Sequence, residues 1–577
     1  MPKKDHLVLI LLLIAITVAI YFDSFNNQFL YDDYPFVVEN TAIRKLGINN
    51  IIADFTDRNT ASASESLSKD VWRPLVTISF ALDYSRWRLD PRFYHIENTL
   101  LHAANAALVY IAVFLILGDG FAAFIAALVF AIHPVQTEAV TWVSGRSNVL
   151  FLLFFLLAFI SHVRNRQKRP DTYDYTVPLL FFILALLSKE MAITLPLVLA
   201  LYDAHFSNKR RPMSYVGYYF PFALVAASYV ATRFAVLGTI AQRPEWWGGS
   251  VFNSMLGTLK AVAEYLRLIL VPVNLKVSYL ADVPRSVFGH DMIGAIATLS
   301  AAAVFYLIFR RKKEISFYVL WFFAALVPVY NIVPFKAVMA ERFLYLPLVG
   351  FAALFGIAFS RVDVSSRLSS FMKGSLVFIL ISVLVMYGAM SIGRNIEWRD
   401  EISFYLQETI RSPQDAKAHY NLGYAYAKEA GMTKSSPGLS KTFYMAAIEE
   451  YKKAVSLKPN SQVSYMGLAN AYSATGLYEQ AVENFIKVID IKENSDAYNN
   501  LGVAYFRKQI YDEALSCFKK ALRLDPNHVN ANINLGNAYF MKAEFAKAKN
   551  AWIRVVRMGG ANPLLLERIK FLKDKGH

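Results

Sequence analysis

Cysteine is almost missing from this chain. The lone thiol, Cys517, excludes an intrachain disulfide and any cysteine-based zinc site, and it leaves the compartment unreadable from redox usage. A small-residue cleavage site is also missing behind the first hydrophobic stretch, residues 7–22 (LVLILLLIAITVAIYF). Lys3 and Lys4 precede that stretch as they would in a signal peptide. More hydrophobic segments follow, however, so a retained first span is the better reading. Charge is sparse, at 18% of 577 residues against 55% apolar, which is too hydrophobic for an ordinary soluble protein. The net charge of +16 does not point to nucleic acid, because Lys and Arg gather in short loops between apolar segments, where membrane topology explains them.

Further apolar segments lie near 99–117, 121–134, 148–163, 177–189, 191–206, 214–237, 288–309, 316–332, 343–360 and 374–392. With the first, they make eleven expected spans. Several are shorter than the ~20 residues a crossing takes. Lys3-Lys4, Arg164 to Arg169, Lys209-Arg210-Arg211 and Arg310 to Lys313 should face the cytoplasm. All four do so if the N-terminus is cytoplasmic and residues 253–287 do not cross. In that segment Lys260, Glu264 and Arg267 share a helical face opposite Leu256, Leu259, Ala263, Leu266 and Leu270, as in a helix lying in the interface. Residues 23–98, 134–147, 189–190, 238–287 and 333–342 then share the outer face with everything after the last span.

The chain changes character near residue 394. The predicted fold is all-α: a polytopic membrane domain over 1–393, then a tetratricopeptide solenoid over 394–577. Four repeats read His419/Leu422/Gly423/Tyr426, Tyr465/Leu468/Ala469/Tyr472, Tyr498/Leu501/Gly502/Tyr505 and Asn532/Leu535/Gly536/Tyr539. Each is completed by a small residue four before an aromatic: Ala447/Tyr451, Ala481/Phe485, Ala514/Phe518 and Ala548/Trp552. Leu501 and Leu535 are 34 apart, the repeat period, and repeat one carries a twelve-residue insertion around Gly431–Ser440. Residues 397–411 read as the second helix of an incomplete repeat, and 563–574 as a cap. Such arrays bind extended peptides or partner proteins.

On the outer face, Asp32-Asp33 follow span one in FLYDDYP. A carboxylate held near an incoming hydroxyl is a general base, and two neighbouring carboxylates raise one another's proton affinity or share a cation. Arg73, Glu138, Arg146, Lys189-Glu190 and Glu341-Arg342 fall on the same face. Charges at membrane depth pair with something. Lys189 with Glu190 and Glu341 with Arg342 would serve as mutual pairs, or else the cations would clamp a phosphate, Arg by forked bonds and Lys as a point charge. His95 and His102 are seven apart on one helical face, but further metal ligands are not evident, so structural roles are expected.

The stretches YDDYPFVVEN, WRPLVTISF, FYHIENTLLHAANA, HPVQTEAVTWVSGRSNVL, LLSKEMAITLPLVLALYD and VMAERFLYLPLVG together resemble the TMTC family. These are tetratricopeptide-bearing transmembrane O-mannosyltransferases of the polyprenyl-phosphate-sugar-dependent (GT-C) class. The resemblance covers nearly the whole chain. Few repeats and compact loops set it apart from eukaryotic members and suggest a bacterial relative, in an inner membrane with periplasmic repeats; a eukaryotic one would sit in the ER membrane with lumenal repeats. The resemblance implies a lipid-linked sugar donor, a protein Ser/Thr hydroxyl as acceptor, and inversion at the anomeric carbon. It assigns the base to the Asp32-Asp33 pair, with Asp33 favoured, and the donor phosphate to Arg342 and Lys189, with Arg146 or Arg73. Without a wider acidic cluster no metal or other cofactor is expected. Two other readings are a transferase acting on a glycolipid or a whole lipid-linked glycan, and a non-catalytic scaffold for envelope assembly.

Overall fold

The computed structural model describes residues 3–68, 70–168, 174–207, 212–239, 245–277, 279, 284, 286–334, 337–364, 369–560 and 563–574. Every regular element among them is helical. Arg169 and the Lys209-Arg210-Arg211 cluster lie outside the described residues. The chain divides into two compact units, Met1–Ser403 and Phe404–His577.

In the first unit a helix forms at each apolar stretch, but the helices differ in length. Among the described residues, six are long and apolar enough to cross a bilayer: Lys4–Asn26, Pro91–Leu117, Val143–Lys168, Val216–Leu237, His290–Phe309 and Ser370–Glu397. Gly120–Ile132 and Pro134–Val140 form one further candidate, bent by 53°. The bend has a local cause. Pro134 lacks an amide hydrogen and pushes the preceding residue off helical geometry, so His133 is extended (φ −71°, ψ 129°).

Thr176–Ser188, Leu195–Phe206 and Lys313–Ala325 are helices of 13, 12 and 13 residues. At 1.5 Å per residue each is about 20 Å long, short of the ~30 Å hydrocarbon core. Apolar runs mark where these helices sit but overstate how far they reach, because a short 3-10 turn, Glu190–Thr194, takes up residues between the first two. Small residues let the helices Gly120–Ile132 and Pro347–Val364 approach closely: a Cβ on Gly356 would lie 2.3 Å from the Ala122 carbonyl oxygen.

The expected interfacial helix runs only from Val251 to Leu270. It buries Leu256, Ala263, Tyr265, Leu268 and Ile269, whereas Leu259 and Leu270 are exposed. On its charged side Arg267 pairs with Glu264 (2.5 Å) and Lys260 with Asp291 of the following helix (2.6 Å).

The second unit contains the paired helices Ala416–Met432 and Pro437–Leu457, Gln462–Ala474 and Tyr478–Ile491, Ser495–Arg507 and Tyr511–Leu524, and Val529–Met541 and Phe545–Arg557. Pro563–Asp574 follows. The insertion in repeat one lengthens both of its helices, to 17 and 21 residues, instead of forming a loop. The signature glycines face the signature aromatics. A Cβ on Gly502 would lie 2.6 Å from the Phe518 ring, and one on Gly536 would lie 2.2 Å from Trp552. Both rings are fully buried, so neither can yield cheaply. Gly536→Ala is expected to destabilise the array by about 1–3 kcal/mol through overpacking. Limited proteolysis should then cut residues 495–557 at a lower temperature than in the wild type. Unchanged protection would mean that the Trp552 ring slides aside at no cost.

Candidate functional site

The site begins in the turn after the first helix. Phe29 and Leu30 are buried, with Phe29 edge-on to Tyr94 at 5.3 Å. Tyr31 takes a left-handed backbone (φ 52°), an uncommon state for an aromatic residue, and the turn closes through the Asp33 N–H on the Leu30 carbonyl (2.9 Å). The Leu30 N–H donates back to Asp33 Oδ2 (3.0 Å). From across the fold, the N–H and hydroxyl of Ser144 both donate to Asp33 Oδ1 (2.7 and 2.5 Å). Gly145 makes that approach possible, since a Cβ there would lie 2.5 Å from the Ala139 carbonyl oxygen.

The two aspartates are therefore not equivalent. Asp33 is 1% exposed and accepts three hydrogen bonds, whereas its neighbour Asp32 is half-buried. Burial pushes the Asp33 carboxyl up to about 7, against the Ser144 and Leu30 donors and helped by the nearby Asp32. Asp32 also acts on Arg342: burial works against the guanidinium's charge, but Glu138, Asp32 and Tyr31 overcome it and raise its proton affinity.

Arg342 is the centre of the cluster. Its side chain keeps 25% exposure and pairs with Glu138, which is wholly buried and also accepts the Arg342 N–H (2.7 Å). The guanidinium lies over Trp142 (5.7 Å) and Phe343 (5.3 Å), and Trp142 in turn meets Tyr31 at 6.0 Å. Alongside, Arg73 grips Glu190 with a two-pronged pair (2.8 and 3.2 Å) and reaches Ser147 (3.4 Å), with Arg233 3.9 Å from the same carboxylate. Burial disfavours the Glu190 anion, yet Arg73, Arg233 and Lys189 hold its carboxyl below the usual range. Lys189 is 3% exposed, bonded to Asn148 and flanked by the Phe151 and Phe343 rings. Burial, with Arg73 and Arg342 nearby, pushes its ammonium well below the ordinary amine range.

Charges adjacent in sequence do not pair with each other as the simple reading expects. Glu341 accepts from Tyr279 (2.8 Å) and faces Arg394 (3.6 Å), while Arg342 turns to Glu138; Glu190 turns to Arg73 and Lys189 to Asn148. Adjacent residues in an extended entry to a helical turn point apart, so each finds its partner on another segment. Arg146 is also corrected as a phosphate ligand. It is fully buried against Asp83 (2.9 Å), Glu97 (3.6 Å), the Tyr94 carbonyl (3.2 Å) and Asn98, so no face of it is open to a ligand. His102 sits between the Tyr345 hydroxyl (2.8 Å) and the Ala131 carbonyl (3.0 Å), and His95 is buried about two turns earlier in the same helix. Among the described residues no three His, Cys, Asp or Glu side chains gather in a ligand group.

Ser144 and Asn148 were not singled out from sequence. Their signal was present in WVSGRSN, where a glycine sits inside a run of small polar residues at the mouth of a helix. With Asp33 buried beneath three donors, activity is expected to rise with pH through about 7 as that carboxyl ionises. Ser144→Ala removes a donor that favours the anion, so this limb should move to higher pH. A pH–rate profile superimposable on the wild type would take Asp33 out of the control of the site.

Fold and site together define a helical membrane protein that carries a tetratricopeptide array. Tetratricopeptide repeat models match residues 463–495, 495–528 and 517–550. Over 91% of its length the chain is similar to protein O-mannosyl-transferase TMTC3 of Mus musculus, at 25% identity and covering 57% of that protein. Over 74% of its length it is similar to protein O-mannosyl-transferase F38B6.6 of Caenorhabditis elegans, at 28% identity and covering 61% of that protein. A stretch of 194 residues is 34% identical to protein O-mannosyl-transferase TMTC2 of Homo sapiens, covering 33% of this chain and 23% of that one. The chain is TMTC-like over most of its length, and it spans about three fifths of the length of the first two relatives.

Proposed function

We propose that this protein is a membrane glycosyltransferase that moves a sugar from a polyprenyl-phosphate donor to Ser/Thr hydroxyls of a protein. The observation that carries the reading is a partly exposed arginine, Arg342, fixed from behind by the buried Glu138 and lying within the electrostatic reach of the half-buried carboxylate Asp32. The acceptor oxygen attacks the anomeric carbon from the face opposite the lipid phosphate. As the new C–O bond forms, the hydroxyl proton passes to Asp32 and the sugar–phosphate C–O bond breaks with inversion. The lipid phosphate leaves as an anion. It needs positive charge and no strong acid, and Arg342 supplies that charge with support from Arg73, while the buried Lys189, held toward its neutral form, serves as a hydrogen-bond donor. Asp33, closed in by Leu30 and Ser144, positions Asp32 and does not touch substrate.

Eleven crossings, with the short helices completing the bilayer domain, put this site and the repeats on the non-cytoplasmic side. The repeats capture the acceptor and raise its concentration at the site. The relatives' shared name, protein O-mannosyl-transferase, supports mannose as the sugar and protein as the acceptor. Intact-mass comparison of extracytoplasmic proteins from cells with and without the chain tests the reading. Proteins lighter by whole sugar units in its absence are expected. Identical protein masses with altered glycolipids would favour the glycolipid-transferase reading instead.

Truncation after residue 412 separates the parts. The membrane portion should keep donor binding and slow donor hydrolysis but lose most transfer to protein. Full protein transfer by the truncated form would remove the array from the mechanism.

A further inference from the structure

The helix Val251–Leu270 and the following helix His290–Phe309 enclose a cavity of about 500 Å³. Lys260, Glu264 and Arg267 line it from the first helix at i, i+4 and i+7, so positive, negative and positive charge alternate along one face. Asp291 adds a second carboxylate from the other helix, so the described lining carries two cations and two anions. The four side chains pair as Lys260 with Asp291 and Arg267 with Glu264, yet they remain 33–68% exposed. Exposed pairs contribute at most about 1 kcal/mol each. Holding two helices together does not account for four charges here.

Small residues keep the cavity open. Gly257 and Ala261 face it from the first helix, and Gly294 and Ala295 from the second. A Cβ on Gly294 would meet nothing within 4 Å. Glycine inside a helix costs about 1 kcal/mol against alanine. Alanine would fit at 294, so the space is kept at the expense of helix stability. Beside the lining residues in sequence, Leu259, Ile293 and Ile296 are exposed, and only 11% of the apolar stretch in His290–Phe309 is buried within the protein. Charge inside and apolar surface outside is the pattern of a lipid head-group site. The cavity also lies on one side of the segment that presents Arg342. Val338 and Met339 line it, and Glu341 accepts from the Tyr279 hydroxyl of its wall (2.8 Å), whereas Arg342 turns to Glu138 and Trp142.

We propose that this cavity binds a phospholipid whose head group carries both a phosphate and a primary ammonium, as phosphatidylethanolamine does. Lys260 and Arg267 take the phosphate, and Glu264 and Asp291 accept from the ammonium, whose three N–H groups suit carboxylate oxygens. The acyl chains run along Leu259, Ile293 and Ile296. A quaternary ammonium has no N–H to donate. An anionic head group, or a polyprenyl phosphate with a neutral sugar, would leave both carboxylates facing negative charge. The proposal rests on Val251–Leu270 lying in the membrane interface. A lipid held there bears on Val338 and Met339, and through them on the segment that carries Arg342.

The test uses the full-length protein in phosphatidylcholine nanodiscs that contain a phosphatidylethanolamine with a diazirine on one acyl chain. Sugar donor is absent, so binding is read apart from transfer. Photolysis and peptide mass spectrometry should place the label on residues 251–270 and 290–309. Labelling should exceed that of matched phosphatidylcholine and phosphatidylglycerol probes by about tenfold, the scale set by hydrogen bonds to charged groups. Gly294→Phe fills the cavity without touching a charge and should lower labelling to the phosphatidylcholine level. Glu264→Gln/Asp291→Asn should do the same by removing the acceptors of the ammonium. If either variant fails to fold, the comparison of head groups on the wild type decides alone. Equal labelling by the three probes would overturn the proposal, as would wild-type labelling in Gly294→Phe. Displacement by polyprenyl-phosphate mannose would also overturn it, since the cavity would then belong to the donor. So would displacement by soluble phosphoethanolamine as strong as that by the unlabelled lipid. Labelling by no probe would overturn it together with the interfacial placement of Val251–Leu270. Selective labelling of a protein that transfers no sugar would leave this inference standing and remove the enzyme reading.

Discussion

Asp32→Asn is expected to lower sugar transfer by about 10²–10⁴-fold, the usual cost of losing a general base, with protein yield and melting unchanged. Asp32 is half-buried and faces the field of Arg342, so an amide of the same shape fits where the carboxylate sat. Asp33→Asn should behave differently. Asp33 is 1% exposed and receives the Leu30 N–H and both Ser144 donors, and an amide turns one of its two acceptors into a donor facing a donor. That clash releases the turn, so yield should fall together with activity. Specific activity near wild type in Asp32→Asn, with loss confined to Asp33→Asn, would return the base to Asp33.

The second large effect is expected at Arg342. Arg342→Ala removes the partly exposed guanidinium beside Asp32 and also strands Glu138, which has no exposure at all. Breaking a buried ion pair from one side costs about 3–5 kcal/mol, so the single variant should express poorly. Arg342→Ala/Glu138→Gln removes the stranded charge and should recover yield while use of the lipid-phosphate donor stays lost. Arg342→Lys should recover only part, because a forked donor over the Trp142 ring is not matched by a point charge. Saturation with donor at wild-type concentrations in the double variant would show Arg342 to be a structural ion-pair partner alone.

The sequence was most legible where period and composition work together. The repeat signature located four helix pairs, and the glycine and aromatic positions read from it meet in space. Hydropathy located the helices of the membrane unit but not their ends, since a Pro134 break or the Glu190–Thr194 turn shortens a helix without altering apolarity. In the site, residue types were legible and pairings were not. Nothing in Glu341-Arg342 or Lys189-Glu190 says that each member turns to a different segment, because that is decided by packing of segments up to 204 residues apart, as for Arg342 and Glu138. Nor does Asp32-Asp33 reveal which carboxyl is enclosed, since the answer lies in Ser144, 111 positions away. Arg146 misled for the same reason: its partner, Asp83, is an unremarked acid in the largely apolar helix Pro74–Trp87, 63 positions away.

The most direct measurement is mass spectrometry of a Ser/Thr peptide incubated with purified protein and a polyprenyl-phosphate mannose donor. With wild type, the peptide should gain one sugar unit per modified hydroxyl, linked with inverted anomeric configuration, and with Asp32→Asn it should gain none over the same time. An unmodified peptide with the wild-type protein, or equal modification by Asp32→Asn, would contradict the claim that this site transfers sugar through Asp32.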